Sequence, residues 1–170
     1  AFTVANTGPT QLFVNVTSRG VPEAASREPI REGIAVSRLF YTSRGQEYAE
    51  TTYHQGESYV IELAIACERD IENAVVVDLL PAGFEIENPR LQLDVIPVKA
   101  DDHVVSPTYL DVRDDRLLLA FDTLGKGEHR FFYVVRAVTP GVYQYPAVEA
   151  ECMYDAKLRG ASAVSAIRVE

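Results

Sequence analysis

The sequence predicts an all-β chain folded as an antiparallel β-sandwich, and three observations carry that prediction. Short runs rich in Val, Ile, Tyr and Phe recur with period-two patterning. Turn-forming residues separate them, at Pro81-Ala82-Gly83, Asp114-Asp115, Gly125-Lys126-Gly127 and Pro140-Gly141. No segment sustains a 3.6-residue period, so no helix is expected to compete with the sheet. Many short strands joined by such turns make a sandwich, with two inner faces sharing one core.

Each element follows from its own residues. Gln11 to Thr17 alternates, with Leu12, Val14 and Val16 on one face. Val21 to Glu32 holds two prolines and many charges and reads as a linker. Ile34 to Tyr41 is β-branched and aromatic. Ser58 to Cys67 sets Ile61, Leu63, Ile65 and Cys67 against Glu62, Ala64 and Ala66 on the other face. Ala74 to Leu79 is a valine run. Asn88 to Tyr109 has no clean strand signal and room for a short helix or edge strand around Leu91 to Val98; loops of that length are often functional. Arg116 to Phe121, Glu128 to Val138, Gln144 to Met153 and Ala163 to Val169 complete the set. The expected division is a preceding strand and linker over residues 1–32 and the sandwich over 33–170.

Composition narrows the function. With 170 residues, 47% of them hydrophobic, the chain can bury one real core. A net charge of −9 argues against phosphate-backbone binding and against an anionic membrane surface. No apolar stretch reaches the length of roughly 18 residues that a membrane-spanning helix needs. The chain starts at Ala1 without a signal peptide and reads as a mature product or an excised domain.

The chemistry-bearing residues do not assemble into a catalytic signature. Cys67 and Cys152 are too few for a zinc site; both fall on apolar strand registers, either as packed thiols or as one inter-strand disulfide. His54, His103 and His129 have no ligand spacing. No G-x-S-x-G, H-E-x-x-H, P-loop or G-x-G-x-x-G occurs. Asp101-Asp102 and Asp114-Asp115 are weak Ca²⁺ candidates, because neighbours in a turn point different ways. Asn15-Val16-Thr17 matches a glycosylation acceptor inside an expected strand and carries little weight. The expectation is a non-enzyme without cofactor or metal, binding no nucleic acid, and monomeric by itself.

Three stretches then carry a resemblance: VVVDLLPAGFEIENPRL (Val75 to Leu91), VRDDRLLLAFDTL (Val112 to Leu124) and FFYVVRAVTPGVYQYPAVEAECMYD (Phe131 to Asp155). Their order is an L-P-A-G turn after a valine strand, a D-R hairpin, Y-x-x-R-A, P-G-x-Y, a Pro-Ala pair and Glu-x-Met-Tyr. In that order they resemble the C-terminal macroglobulin-like domain of bacterial alpha-2-macroglobulins, over Gly33 to Glu170. Phe2 to Pro22 looks like the stretch that precedes this domain in the family.

The resemblance implies a macroglobulin-like sandwich of immunoglobulin or fibronectin-like architecture. It implies a periplasmic parent, tethered to the inner membrane by a lipid, that traps attacking proteases in bacterial defence. Here the partners are the parent's other domains, above all a thioester domain, and, through the parent, proteases. Met153 and Tyr154 fall where thioester members carry bulky residues that cover the thioester against water. The thioester motif C-x-E-Q is absent from this chain, and Asp155 stands where the family often has proline. The competing expectation is a stand-alone immunoglobulin-like binding or adhesion module that uses sandwich-end loops, Asn88 to Tyr109 among them.

Overall fold

Alternation becomes pairing wherever an apolar face finds a second sheet. The computed structural model describes residues 3–17, 19–20, 28–87 and 103–170. Its strands are β1 (Ile30–Glu32), β2 (Ile34–Thr42), β3 (Thr52–Tyr53), β4 (Ser58–Cys67), β5 (Ile71–Leu79), β6 (Phe84–Ile86) and β7 (Tyr109–Arg113). They continue with β8 (Arg116–Leu124), β9 (Gly127–Ala137), β10 (Gly141–Tyr145), β11 (Val148–Cys152), β12 (Asp155–Ala161) and β13 (Ser165–Val169). A six-stranded sheet, β1-β12-β11-β5-β8-β7, faces a four-stranded sheet, β2-β4-β9-β6, and β10-β13-β3 form a third. Every pairing between strands is antiparallel except β3 with β13.

The inner register fills the core. Ile61, Leu63 and Ile65 of β4 and Tyr133 and Val135 of β9 share one buried cluster with Val76 of β5, Leu117 and Leu119 of β8 and Val148 of β11. At one end of this cluster Phe40, Tyr53, Phe84 and Tyr145 pack with ring centroids 5.0–5.9 Å apart, two of the four contacts tilted and two edge-on. Such geometry sets positive ring edges against negative faces and adds roughly 0.5–1.5 kcal/mol per pair. Two glycines let the sheets meet. Gly33, at φ 75°, turns the chain from β1 in one sheet to β2 in the other. A Cβ on Gly160 of β12 would lie 2.6 Å from the Ile34 carbonyl oxygen, so the β12 and β2 backbones approach only over a bare Cα.

Several expectations change. Gln11 to Thr17 forms no strand: among the described residues it has no strand partner, and Leu12, Phe13, Val14 and Val16 are exposed. Alternation defines a face, but a strand needs a partner edge. Gln144 to Met153 is not one strand. Pro146 has no N–H to give a ladder, and its carbonyl accepts from Arg38, so the chain leaves the third sheet after Tyr145 and enters the six-stranded sheet at Val148. β1 lies in the expected linker, whose residues 21–27 fall outside the described residues. Of the Asn88 to Tyr109 loop, residues 88–102, with Asp101-Asp102 and the element expected near Leu91 to Val98, fall outside them as well. Beyond it Val104 bridges Arg130, and Tyr109 opens β7. Of the two readings for Cys67 and Cys152, the structure has both as free cysteines, on β4 and β11 of opposing sheets.

Candidate functional site

β11 and β12 form a hairpin whose loop is Met153-Tyr154 alone. Neither residue has a positive φ, so this is not the turn that matches the natural strand twist. The ladder compensates with an irregularity. Glu151 pairs with Arg159, but Cys152 pairs with Asp155, leaving Ala156, Lys157 and Leu158 bulged out of register. The bulge sends Leu158 into the core, against Gly33.

The tip is anchored from below and left bare above. The Met153 N–H donates to the Asn73 carbonyl at 3.0 Å, and Asn73 holds φ 53°, a backbone state that asparagine tolerates better than most residues. The Cys152 thiol donates to the Glu72 carbonyl at 3.3 Å. Arg69 reaches Asp155 at 3.4 Å across an exposed gap, and the Lys157 N–H donates to Asp155 Oδ1 at 3.1 Å. The side chains above these anchors stay outside: Met153 is 60% exposed and Tyr154 81%. Neither side chain caps the sandwich core.

A second cluster was not anticipated. Arg38 on β2 and Asp78 on β5 fall on the inner registers of the two facing sheets. Both are buried, at 6% and 0% side-chain exposure, and form an ion pair across the sandwich. Arg38 Nε donates to Asp78 Oδ2 at 3.1 Å and a terminal nitrogen donates to the Pro146 carbonyl at 3.1 Å. The Tyr133 hydroxyl donates to Asp78 Oδ2 at 2.6 Å, and the guanidinium carbon sits 3.7 Å from the Tyr145 ring centre. Burial holds the Tyr133 hydroxyl's pKa well above the ordinary phenol value, and the Asp78 charge adds to that. Burial works against the charged Arg38, but Tyr145 and Asp78 outweigh it and the guanidinium's pKa is raised. The signal was present in the sequence, as one charge breaking each of two apolar registers (Val36-x-Arg38-x-Phe40 and Val76-x-Asp78-x-Leu80).

The remaining candidates do not converge. Burial pushes the Cys67 thiol up to about 11, so it is a poor nucleophile near neutral pH. His103 Nδ1 lies 3.1 Å from the Glu128 carbonyl, His129 Nε2 lies 2.6 Å from the Gly125 carbonyl, and His54 lies 4.0 Å from Glu170. Asp115 is bound by Arg116 at 2.6 Å, and that hydrogen bond holds its carboxyl below the usual range. Among the described residues no three His, Cys, Asp or Glu side chains gather as metal ligands, and no helix is long and apolar enough to cross a membrane.

The family model described as the bacterial alpha-2-macroglobulin MG10 domain matches residues 33–156. Alpha-2-macroglobulin of Xylella fastidiosa strain 9a5c is 28% identical over 169 residues, covering 93% of this chain and 10% of its own. The native conformation of Escherichia coli alpha-2-macroglobulin superposes with a TM-score of 0.78 at 26% identity, over 89% of this chain and 10% of that one. A mutant of Salmonella alpha-2-macroglobulin superposes at 0.73 with 30% identity, over 88% and 10%. The chain thus spans about a tenth of the length of the curated relatives it matches. It belongs to the bacterial alpha-2-macroglobulin family and carries that family's MG10 macroglobulin domain.

Proposed function

We propose that this chain is the non-catalytic docking domain of a periplasmic, lipid-anchored alpha-2-macroglobulin that traps proteases. In this reading Met153 and Tyr154 rest on the parent's thioester domain and keep water from its thioester. One observation carries it: two large side chains are presented bare at the tip of a hairpin whose backbone is fixed. Several other residues of the family-like stretches have internal tasks. Tyr133 binds Asp78, Pro146 binds Arg38, Arg136 binds Glu87, and Gly83 leaves room for the Tyr143 ring. Among the described residues the Met153 and Tyr154 side chains show no such internal task, so in this reading their size serves a contact beyond the domain. An apolar thioether and an aromatic face suit a dry, adaptable contact.

The relatives support the trap. Escherichia coli alpha-2-macroglobulin is known in a trypsin-activated form, and the Salmonella protein in a form reacted with methylamine. Methylamine is a small nucleophile of the kind that opens an activated acyl group. The test is Met153→Ala with Tyr154→Ala in a thioester-bearing full-length parent. Loss of the thioester to methylamine should speed up while the domain stays folded. An unchanged thioester lifetime sinks the shielding role.

A further inference from the structure

We infer that the docking surface does not stop at the hairpin tip but continues down the outer face of the six-stranded sheet, where the same neighbouring domain of the parent covers an apolar strip. The inference rests on the docking reading above.

The strip is defined by register. Glu151, Val75, Ala120 and Tyr109 stand side by side across β11, β5, β8 and β7, and Glu149, Val77, Leu118 and Asp111 form the next row. Their neighbours Ala150, Val76, Leu117, Leu119 and Leu110 belong to or pack on the core, so these two rows face outward. An antiparallel sheet with one wet face alternates apolar and polar residues. β11 does so, as Val148-Glu149-Ala150-Glu151. β5 and β8 do not: Val75-Val76-Val77 and Leu117-Leu118-Leu119-Ala120 are apolar on both faces, the composition of strands covered on both sides. Val75, Val77, Leu118 and Ala120 are half-buried by their own sheet, and none of them packs against a buried cluster. Tyr109, at the strip's edge, is 60% exposed.

The occupant follows from position. The strip joins the tip without a break: Val75 pairs with Glu151, and two residues on, Met153 is bonded to Asn73 of β5. One rigid body resting on Met153 and Tyr154 therefore meets the strip next. The relatives are about ten times this chain's length, so the parent supplies such a body. The rim carries both signs, with Glu151 beside Arg159 and Asp111 paired to Arg113, so the covering surface is apolar at its centre and polar at its border.

Three residues of nearly equal exposure make the test. Tyr109 and Met153 are each 60% exposed, and Val142, on β10 of the third sheet, is 63%. Each is replaced singly by cysteine in the full-length parent, checked for an unchanged melting temperature, and labelled with a maleimide. Labelling is located by peptide mapping and referred to the urea-unfolded chain. Tyr109→Cys and Met153→Cys should label about tenfold or more slowly, as access limited by opening of a closed contact requires, while Val142→Cys labels freely. Free labelling at Tyr109→Cys with slow labelling at Met153→Cys overturns the strip and leaves the tip contact standing. Free labelling at both removes the docking reading and the strip with it. Slow labelling at Tyr109→Cys alone, or at all three sites, also overturns the inference. Protection of Tyr109→Cys that vanishes on dilution assigns the strip to a second copy of the parent and overturns it too.

Discussion

Two tyrosine-containing regions of this molecule are built to opposite ends. In the Arg38–Asp78 cluster, the Tyr133 and Tyr145 rings are sealed between sheets and surround a buried ion pair. In the β11–β12 hairpin, Tyr154 and Met153 stand in water above an anchored backbone. The first region has given its polar chemistry to joining the sheets and has little left to offer a partner. The second contributes little to holding the sheets together, which is why it is free to be used elsewhere. Stability and contact are therefore separable in this domain, and substitutions should split along that line.

The largest expected effect is on the buried side. Asp78→Ala leaves Arg38 charged with its carboxylate gone, and breaking a buried pair in this way costs about 3–5 kcal/mol. Chemical denaturation should show the midpoint falling with little change in slope. Replacing both partners, Arg38→Met with Asp78→Leu, should recover much of that loss, because no uncompensated charge stays inside. If the double variant is as unstable as Asp78→Ala, the pair acts through shape rather than charge.

Gly160→Ala comes next. The added methyl meets the Ile34 carbonyl, which is backbone and cannot swing aside. Either β12 or β2 must move, at a cost of about 1–3 kcal/mol typical of overpacking. A melting temperature within a degree of the parent chain's would show that the two backbones can separate without loss.

The same contrast explains what could be read from the sequence. β4 and β9 were legible because each apolar register is intact and both partners lie beside it. Gln11 to Thr17 has an equally good alternation yet no edge to pair with among the described residues, so the pattern alone misled. β12 was missed for the opposite reason: Leu158 is its one large apolar residue, and its partner on the buried register is Gly160, so no apolar face shows in the sequence. The corner at Pro146 was written in the sequence as a residue without an N–H, though not the sheet exchange it causes. Arg38 and Asp78 read singly as interruptions; only the facing of β2 and β5 makes them partners. Met153 and Tyr154 were singled out through resemblance, and periodicity could not have shown that a two-residue loop would hold them clear of the core.

Alkaline pH should act on the buried region alone. Burial raises the pKa of Tyr53, Tyr133 and Tyr145, and pushes Tyr41 and Tyr59 up to about 12. In the unfolded chain these phenols ionise near the ordinary value of about 10. The folded state therefore holds more protons between those limits, so stability is full below about pH 10 and falls as pH rises through the folded values. Tyrosinate absorbance from these five phenols should appear together with unfolding rather than before it. Gradual ionisation of all the tyrosines in a chain that stays folded would mean that the core admits water.

The smallest effect on stability is expected where the proposed function is greatest. Met153→Ala with Tyr154→Ala removes two side chains whose larger part is already in water, and surface changes of this kind fall within about 0.5 kcal/mol. What fixes the loop is retained, because the Met153 N–H bond to Asn73 and the Cys152 pairing with Ala74 belong to the backbone. The denaturation midpoint of the double variant should therefore overlay that of the unmodified chain. A loss of 2 kcal/mol or more, on the order of a core truncation, would mean that the tip is part of the fold after all. The separation between the two regions would then be false, and any change in the parent's thioester chemistry would report damage to the domain rather than an uncovered bond.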